Sequence, residues 1–305
     1  MRKLIIPLIL AMLITLELVF MDKLKYFATD LINNRPDLII QATNEYTRDY
    51  DFKYVSKSKD YVPYSKKDIR NIFYSMINNG WSDFTFYCPS EYEECVKDVQ
   101  ELSSNDLLLT NINNFAAPFN SFSSIETTYD DSGEVNIKLA QLYSDINKVN
   151  KINKEVDKII NDNINDSMTD REKIKVIHDY IINLVTYDKV RNDTGESKYD
   201  SNTAYGALIQ HQAICSGYAD AMAIFLNRFG IKNYKIASKT HVWNAVFIDN
   251  EWLHLDLTWD DPVSDHGPIL DDKYFLITTN ELVEADNNET DTHIFDKTIY
   301  LEFND

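Results

Sequence analysis

The sequence predicts an α+β fold, with an apolar helix packed on an antiparallel sheet behind a smaller α+β region. Three observations carry that reading. Residues 215–229 set Tyr218, Met222, Phe225, Leu226 and Phe229 on one helical face, and Gly230 stops the helix. Two strand-like runs follow, HVWNAVFI (241–248) and WLHLDLTW (252–259), joined around Asp249 and Asn250 as in a tight hairpin. Upstream, apolar residues recur at helical spacing through Val149, Ile152, Val156, Ile159 and Ile160.

In chain order, residues 1–21 join a basic end, Arg2 and Lys3, to an apolar run broken by Pro7, Thr15 and Glu17. No small-x-small cleavage site follows, so an uncleaved signal-anchor is expected rather than a removed signal peptide. That expectation places the remainder outside the cytoplasm, as a single-pass membrane protein with an extracellular domain or as a secreted one. A cytoplasmic chain starting at Met21 is the alternative. Residues 22–143 are expected to form an α+β region, with a helix from a Ser65 cap to Gly80 and a hairpin over 121–143 turning at 130–133. Residues 144–164 read as a connecting helix ahead of the polar break NDNINDSMTD. Residues 165–305 read as the main domain, whose first helix opens at a capping box of Thr169 and Glu172.

The 305 residues are 44% hydrophobic and 12% aromatic, which indicates a folded chain with a sizeable core. A formal net charge of −19 argues against nucleic acid as a partner, since such a partner needs lysine and arginine to displace counterions. Cys88 and Cys95 lie close together and could bridge in an oxidising compartment, leaving Cys215 free; three unpaired thiols in a reducing one remain the alternative.

Cys215 opens the apolar helix, where a thiolate gains from unsatisfied amides and the positive end of the helix dipole. If Asp249 and Asn250 form the turn, Ile248 pairs with Glu251, and the same register places Trp243 opposite Asp256 and His241 opposite Thr258. His241 and Asp256 then become diagonal neighbours about 7–8 Å apart at the backbone, on one sheet face. A histidine on a facing strand can take and return a proton, and a carboxylate beside it fixes its tautomer and stabilises its cation. Ser216 and Gly217 keep the helix start small, so a substrate carbonyl could approach the Cys215 amide as an oxyanion donor.

Three stretches then resemble the transglutaminase-like superfamily, in particular its exported bacterial members. They are YGALIQHQAICSGYADAMAIFLNRFGI, HVWNAVFIDNEWLHLDLTWDDP and the upstream Tyr187–Asp188, and the likeness covers roughly residues 165–280. The resemblance implies a papain-like α+β core, a triad of Cys215, His241 and Asp256, and a thioester on the cysteine. The acyl group would pass from it to an amine or to water, giving a crosslinker or a peptidase or amidase. DKYFLI (272–277) fits the strand expected afterwards. The substrate would be a protein or peptide, with the cell surface as one place to meet it and the membrane as a partner through the N-terminal segment. A non-catalytic peptide- or wall-binding protein on the same fold is the competing reading.

No cofactor and no metal are expected. His241, His254 and Asp256 share a sheet face, but the register sets His254 roughly 13 Å along the strand from His241, too far for one ion. Asp260 and Asp261 read as a solvated turn. His178, His211, His266 and His293 have no matched partner in the sequence and default to surface or core roles. Trp243 and Gly217 are the candidate substrate-binding residues, although core packing is the stronger reading for Trp243, Trp252 and Trp259.

Overall fold

The computed structural model describes residues 53–58, 61–261, 271–286, 292–297 and 299–303. The 1–21 segment and His266 lie outside them. Among the described residues, no helix is long and apolar enough to cross a membrane.

The N-terminal region forms from a capped helix and a small sheet. Helix α1 (Lys66–Asn79) starts where Ser65 accepts a hydrogen bond from the Asp68 amide and stops at Gly80, whose φ of 63° suits glycine. Its Ile69, Ile72, Phe73, Met76 and Ile77 are fully buried in one core with strands β1 (Asp83–Tyr87), β2 (Phe122–Tyr129) and β3 (Glu134–Gln141). The sheet is antiparallel in the order β1-β3-β2, and the β2–β3 hairpin turns where the alternation placed it. Helices α2 (Cys95–Ser103) and α3 (Asp106–Asn114) complete the region, and a disulfide joins Cys88 to Cys95.

A second core forms around the helices that follow. Helix α4 (Ile146–Asn163) buries Ile152, Val156 and Ile159 in the same cluster as α5 (Asp170–Leu184) and the 215–228 helix. The apolar stripe of the expected connecting helix thus buries in the core that those two helices share. After α5 come the short strand β4 (Thr186–Tyr187), helix α6 (Lys189–Thr194), a π-helical turn at Gly206–Gln210 and strand β5 (Gln212–Ala213). Helix α7 (Cys215–Arg228) then packs on an antiparallel sheet, β6 (Asn233–Ala237), β7 (Val242–Ile248) and β8 (Glu251–Leu255), in that order. Helix α8 (Thr279–Ala285) closes the sheet's far side.

The hairpin register is the one counted from the turn, from Ile248 opposite Glu251 to Asn244 opposite Leu255. Asp249 and Asn250 both have positive φ, 54° and 72°, as a two-residue primed turn requires. The ladder ends there, so the expected pairs Trp243 with Asp256 and His241 with Thr258 do not form. The Asp256 amide instead donates to the Tyr274 carbonyl at 3.1 Å, and the chain turns away. The strand expected over 272–277 reduces to a single bridge between His254 and Ile277.

The two regions are clasped together. The Phe115 ring lies 4.7 Å from Tyr234, and the Tyr300 hydroxyl accepts from Asn114 and donates to Asn111. Lys235 forms a buried ion pair with Asp220 at 2.5 Å, and Asp220 also accepts from the Tyr143 hydroxyl at 2.7 Å.

Candidate active site

Cys215 is the first residue of α7 and is half-buried; it is the free cysteine. The helix start is fixed from behind. The Ile214 amide donates to the Ser201 carbonyl at 2.9 Å, and the Ser201 hydroxyl donates to the buried Asp188 carboxylate. Burial alone would raise Asp188, but the hydroxyls of Ser197 and Ser201 and the Arg191 amide outweigh it and hold it below the usual carboxylate range. Gly217 belongs to this support: a Cβ there would lie 2.4 Å from the Ser201 carbonyl oxygen and 3.1 Å from that of Thr203. Its missing side chain makes room for the protein's own backbone.

Strand β4 runs parallel to β5, with Tyr187 opposite Ala213, two residues before Cys215. The half-buried Tyr187 hydroxyl is pushed up by burial first and then by the charges of Cys215 and the nearby aspartates, which places it in the electrostatic neighbourhood of the thiol. Its hydroxyl donates to Asn192 at 3.0 Å.

His241 stands just ahead of β7, where its amide donates to the Ser238 hydroxyl and its carbonyl accepts from the Ser238 amide. Its Nε2 lies 2.5 Å from Asp256 Oδ2, so Nδ1 is the nitrogen left for Cys215, which lies close enough to favour the charged ring. Burial opposes the charged imidazole, yet the Asp256 carboxylate and then Cys215 overcome it and push His241 up to about 10. Asp256 is 1% exposed; burial would raise it, and His241 and His293 hold it far below the usual carboxylate range. The structure thus brings Cys215, His241 and Asp256 together without the strand pairing expected to do so.

His293, which has no partner legible in the sequence, has two in the structure. Its Nε2 lies 2.9 Å from Asp256 Oδ2 and its Nδ1 lies 2.8 Å from Asp286 Oδ1. The residue sits in an irregular segment 37 positions beyond Asp256, where no periodicity marks a facing side. His178 likewise has partners, since its Nε2 lies 3.0 Å from Asp260 Oδ2, whose other oxygen accepts from the Tyr274 amide. The expected solvated turn is therefore corrected: Asp260 is fully buried and Asp261 accepts from the Tyr218 hydroxyl at 2.5 Å.

Trp243 is 1% exposed, stacks on His241 at 5.7 Å between ring centres, and donates from its indole nitrogen to His254 Nδ1 at 3.0 Å. It packs in the core against the imidazole, as the stronger of the two expectations for it had it. Burial, with the charge of His293 adding to it, pushes His254 down to about 3, and the tryptophan can only donate. The neutral ring therefore carries its proton on Nε2, facing Thr279 at 3.1 Å. His254 has no lone pair to offer an ion beside His241. Among the described residues the groups that could hold one are His241, Asp256 and His293, whose ligand atoms lie within 4.8 Å of one another. Those same atoms hydrogen-bond to each other as they stand.

Residues 158–257 match the family model described as the Transglutaminase-like superfamily. No curated protein matches the chain. Among solved structures, one described as the crystal structure of a TGase is 16% identical, over 45% of this chain and 44% of that one, with a TM-score of 0.30. Another, a "Putative Cysteine Protease from Cytophaga hutchinsonii", is 13% identical, over 50% of this chain and 69% of that one, with a TM-score of 0.28.

Proposed function

We propose, from the premise that residues 158–257 form a transglutaminase-like domain, that this protein transfers acyl groups through a thioester on Cys215. The observation that carries the reading is a thiol at the first residue of a helix, beside an imidazole whose far nitrogen is held by a buried carboxylate. The sulfur of Cys215 attacks the carbonyl carbon of a peptide or side-chain amide. As the first helical residue, Cys215 has an amide with no place in the helix's own ladder, suited to the oxygen that becomes negative. His241 returns a proton to the departing nitrogen, the carbon–nitrogen bond breaks, and the thioester remains. An amine or water then attacks the thioester, gives its proton to His241 and releases the sulfur. Asp256 acts through His241, keeping its ring oriented and its cation stabilised.

The test is mass spectrometry of the protein incubated with a glutamine peptide, with and without a primary amine. A Cys215 adduct lighter than protein plus peptide by one ammonia is expected, and with the amine an amide product. Undiminished turnover in Cys215→Ala would sink the reading.

A location outside the cytoplasm follows as part of the same proposal. The Cys88–Cys95 disulfide supports it, because such bonds persist in oxidising compartments. Protease shaving of intact cells should release peptides from beyond residue 22, and full protection of the chain would contradict it.

A further inference from the structure

We propose that His293 is a positioning residue of this site, locking the Asp256 carboxylate against His241. The inference rests on the acyl-transfer reading above and extends it beyond residues 158–257. Asp256 has two oxygens and each is held twice. Oδ1 accepts from the Thr258 and Trp259 amides at 2.9 and 3.2 Å, and Oδ2 faces Nε2 of His241 at 2.5 Å and Nε2 of His293 at 2.9 Å. The amides set the carboxylate plane, while His293 sets the oxygen that His241 uses.

His293 cannot easily turn. Its Nδ1 is held by both oxygens of Asp286, at 2.8 and 3.1 Å, and its side chain is 1% exposed. Four rings surround it, with centres 5.0 Å away for Trp243, 5.1 Å for Trp259, and 5.3 Å for both Tyr274 and His241. The segment that carries it is tied to the turn that carries His241, because Phe295 bridges to Ser238 and Ser238 bonds the His241 backbone. One movement of that segment would shift both histidines together.

The chemical consequence concerns where a proton resides. A fully buried carboxylate with a single imidazole partner can draw that partner's proton, which leaves His241 without the charge that supports a thiolate. A second donor on the same oxygen stabilises the carboxylate's charge and leaves the proton on His241. The reach of the array runs from Cys215 through His241, Asp256 and His293 to Asp286.

The experiment reads the alkylation rate of Cys215 by iodoacetamide in the folded full chain, for wild type and three variants. His293→Leu keeps bulk without a donor, His293→Gln places an amide donor near the position of Nε2, and His293→Asn places one near Nδ1. His293→Leu and His293→Asn are expected to slow alkylation about 10–100-fold, the range that outer partners of a ligating histidine carry at metal sites. His293→Gln should return to within about threefold of wild type. Circular dichroism checks folding, and if His293→Leu does not fold, the Gln and Asn variants decide. Equal rates in those two, whether fast or slow, overturn the proposal. Failure of the acyl-transfer reading looks different: Cys215 in wild type would react only after unfolding.

Discussion

Gly217→Ala reverses the usual sign of a glycine-to-alanine change in a helix. Propensity alone favours alanine by about 0.8–1.0 kcal/mol, somewhat less in the first turn. Here the added carbon would meet the Ser201 carbonyl oxygen at 2.4 Å, the Ala213 Cβ at 3.0 Å and the Thr203 carbonyl oxygen at 3.1 Å, where ordinary contact begins at 3.4 Å. Two of the three are backbone, and the Ser201 carbonyl also accepts from the Ile214 amide that sets the helix start. Overpacking costs about 1–3 kcal/mol, and a 2.4 Å approach to backbone lies at the upper end, about 2–3 kcal/mol, so the net effect is a loss of about 1–2 kcal/mol. Relief by moving the helix start would carry Cys215 away from His241, and a 1 Å misplacement of reacting groups can cost about 10²-fold in rate. Urea unfolding should show a lower midpoint at unchanged slope, with slower iodoacetamide alkylation of Cys215. An alanine variant at least as stable as wild type would refute the close-approach argument.

Asp256→Asn should reduce turnover about 10²–10⁴-fold, while His254→Ala costs much less and chelators leave activity intact; chelator inactivation together with a severe His254→Ala loss would replace the triad with a metal centre. Lys235→Met should lose about 3–5 kcal/mol by stranding the Asp220 charge between helix and sheet, and pairing it with Asp220→Leu should recover much of the loss in thermal melts. His241 holds its proton up to about 10 in the folded chain against an ordinary value of 6.5, so its stabilising contribution is full below pH 6.5 and is lost as pH rises toward 10. Denaturation midpoints should fall across that window, and a His241→Gln variant that falls equally would contradict the assignment.

Helix ends and the hairpin were readable because their causes are local. Ser65 and Thr169 cap helices through their own side chains, and Asp249 and Asn250 accept the positive φ that sets the β7–β8 register. Cys215 and His241 were readable for the same reason, each sitting at the boundary of an element. What lay beyond the ladder was not. Asp256 leaves the strand because its amide finds the Tyr274 carbonyl, and His293 reaches it by a return of the chain that no period encodes. The stripe on α4 shows that it is amphipathic but not which core it faces, and it faces that of α5 and α7.

The alkylation rate of Cys215 reads its coupling to His241 as a nucleophile. With Cys88 and Cys95 bridged, Cys215 is the one thiol the described structure offers to iodoacetamide. Rapid labelling of Cys215 is expected in the folded protein near neutral pH, with a rate at least about tenfold lower in His241→Ala. Labelling that appears only on unfolding, or that proceeds at the same rate without the His241 imidazole, would contradict it.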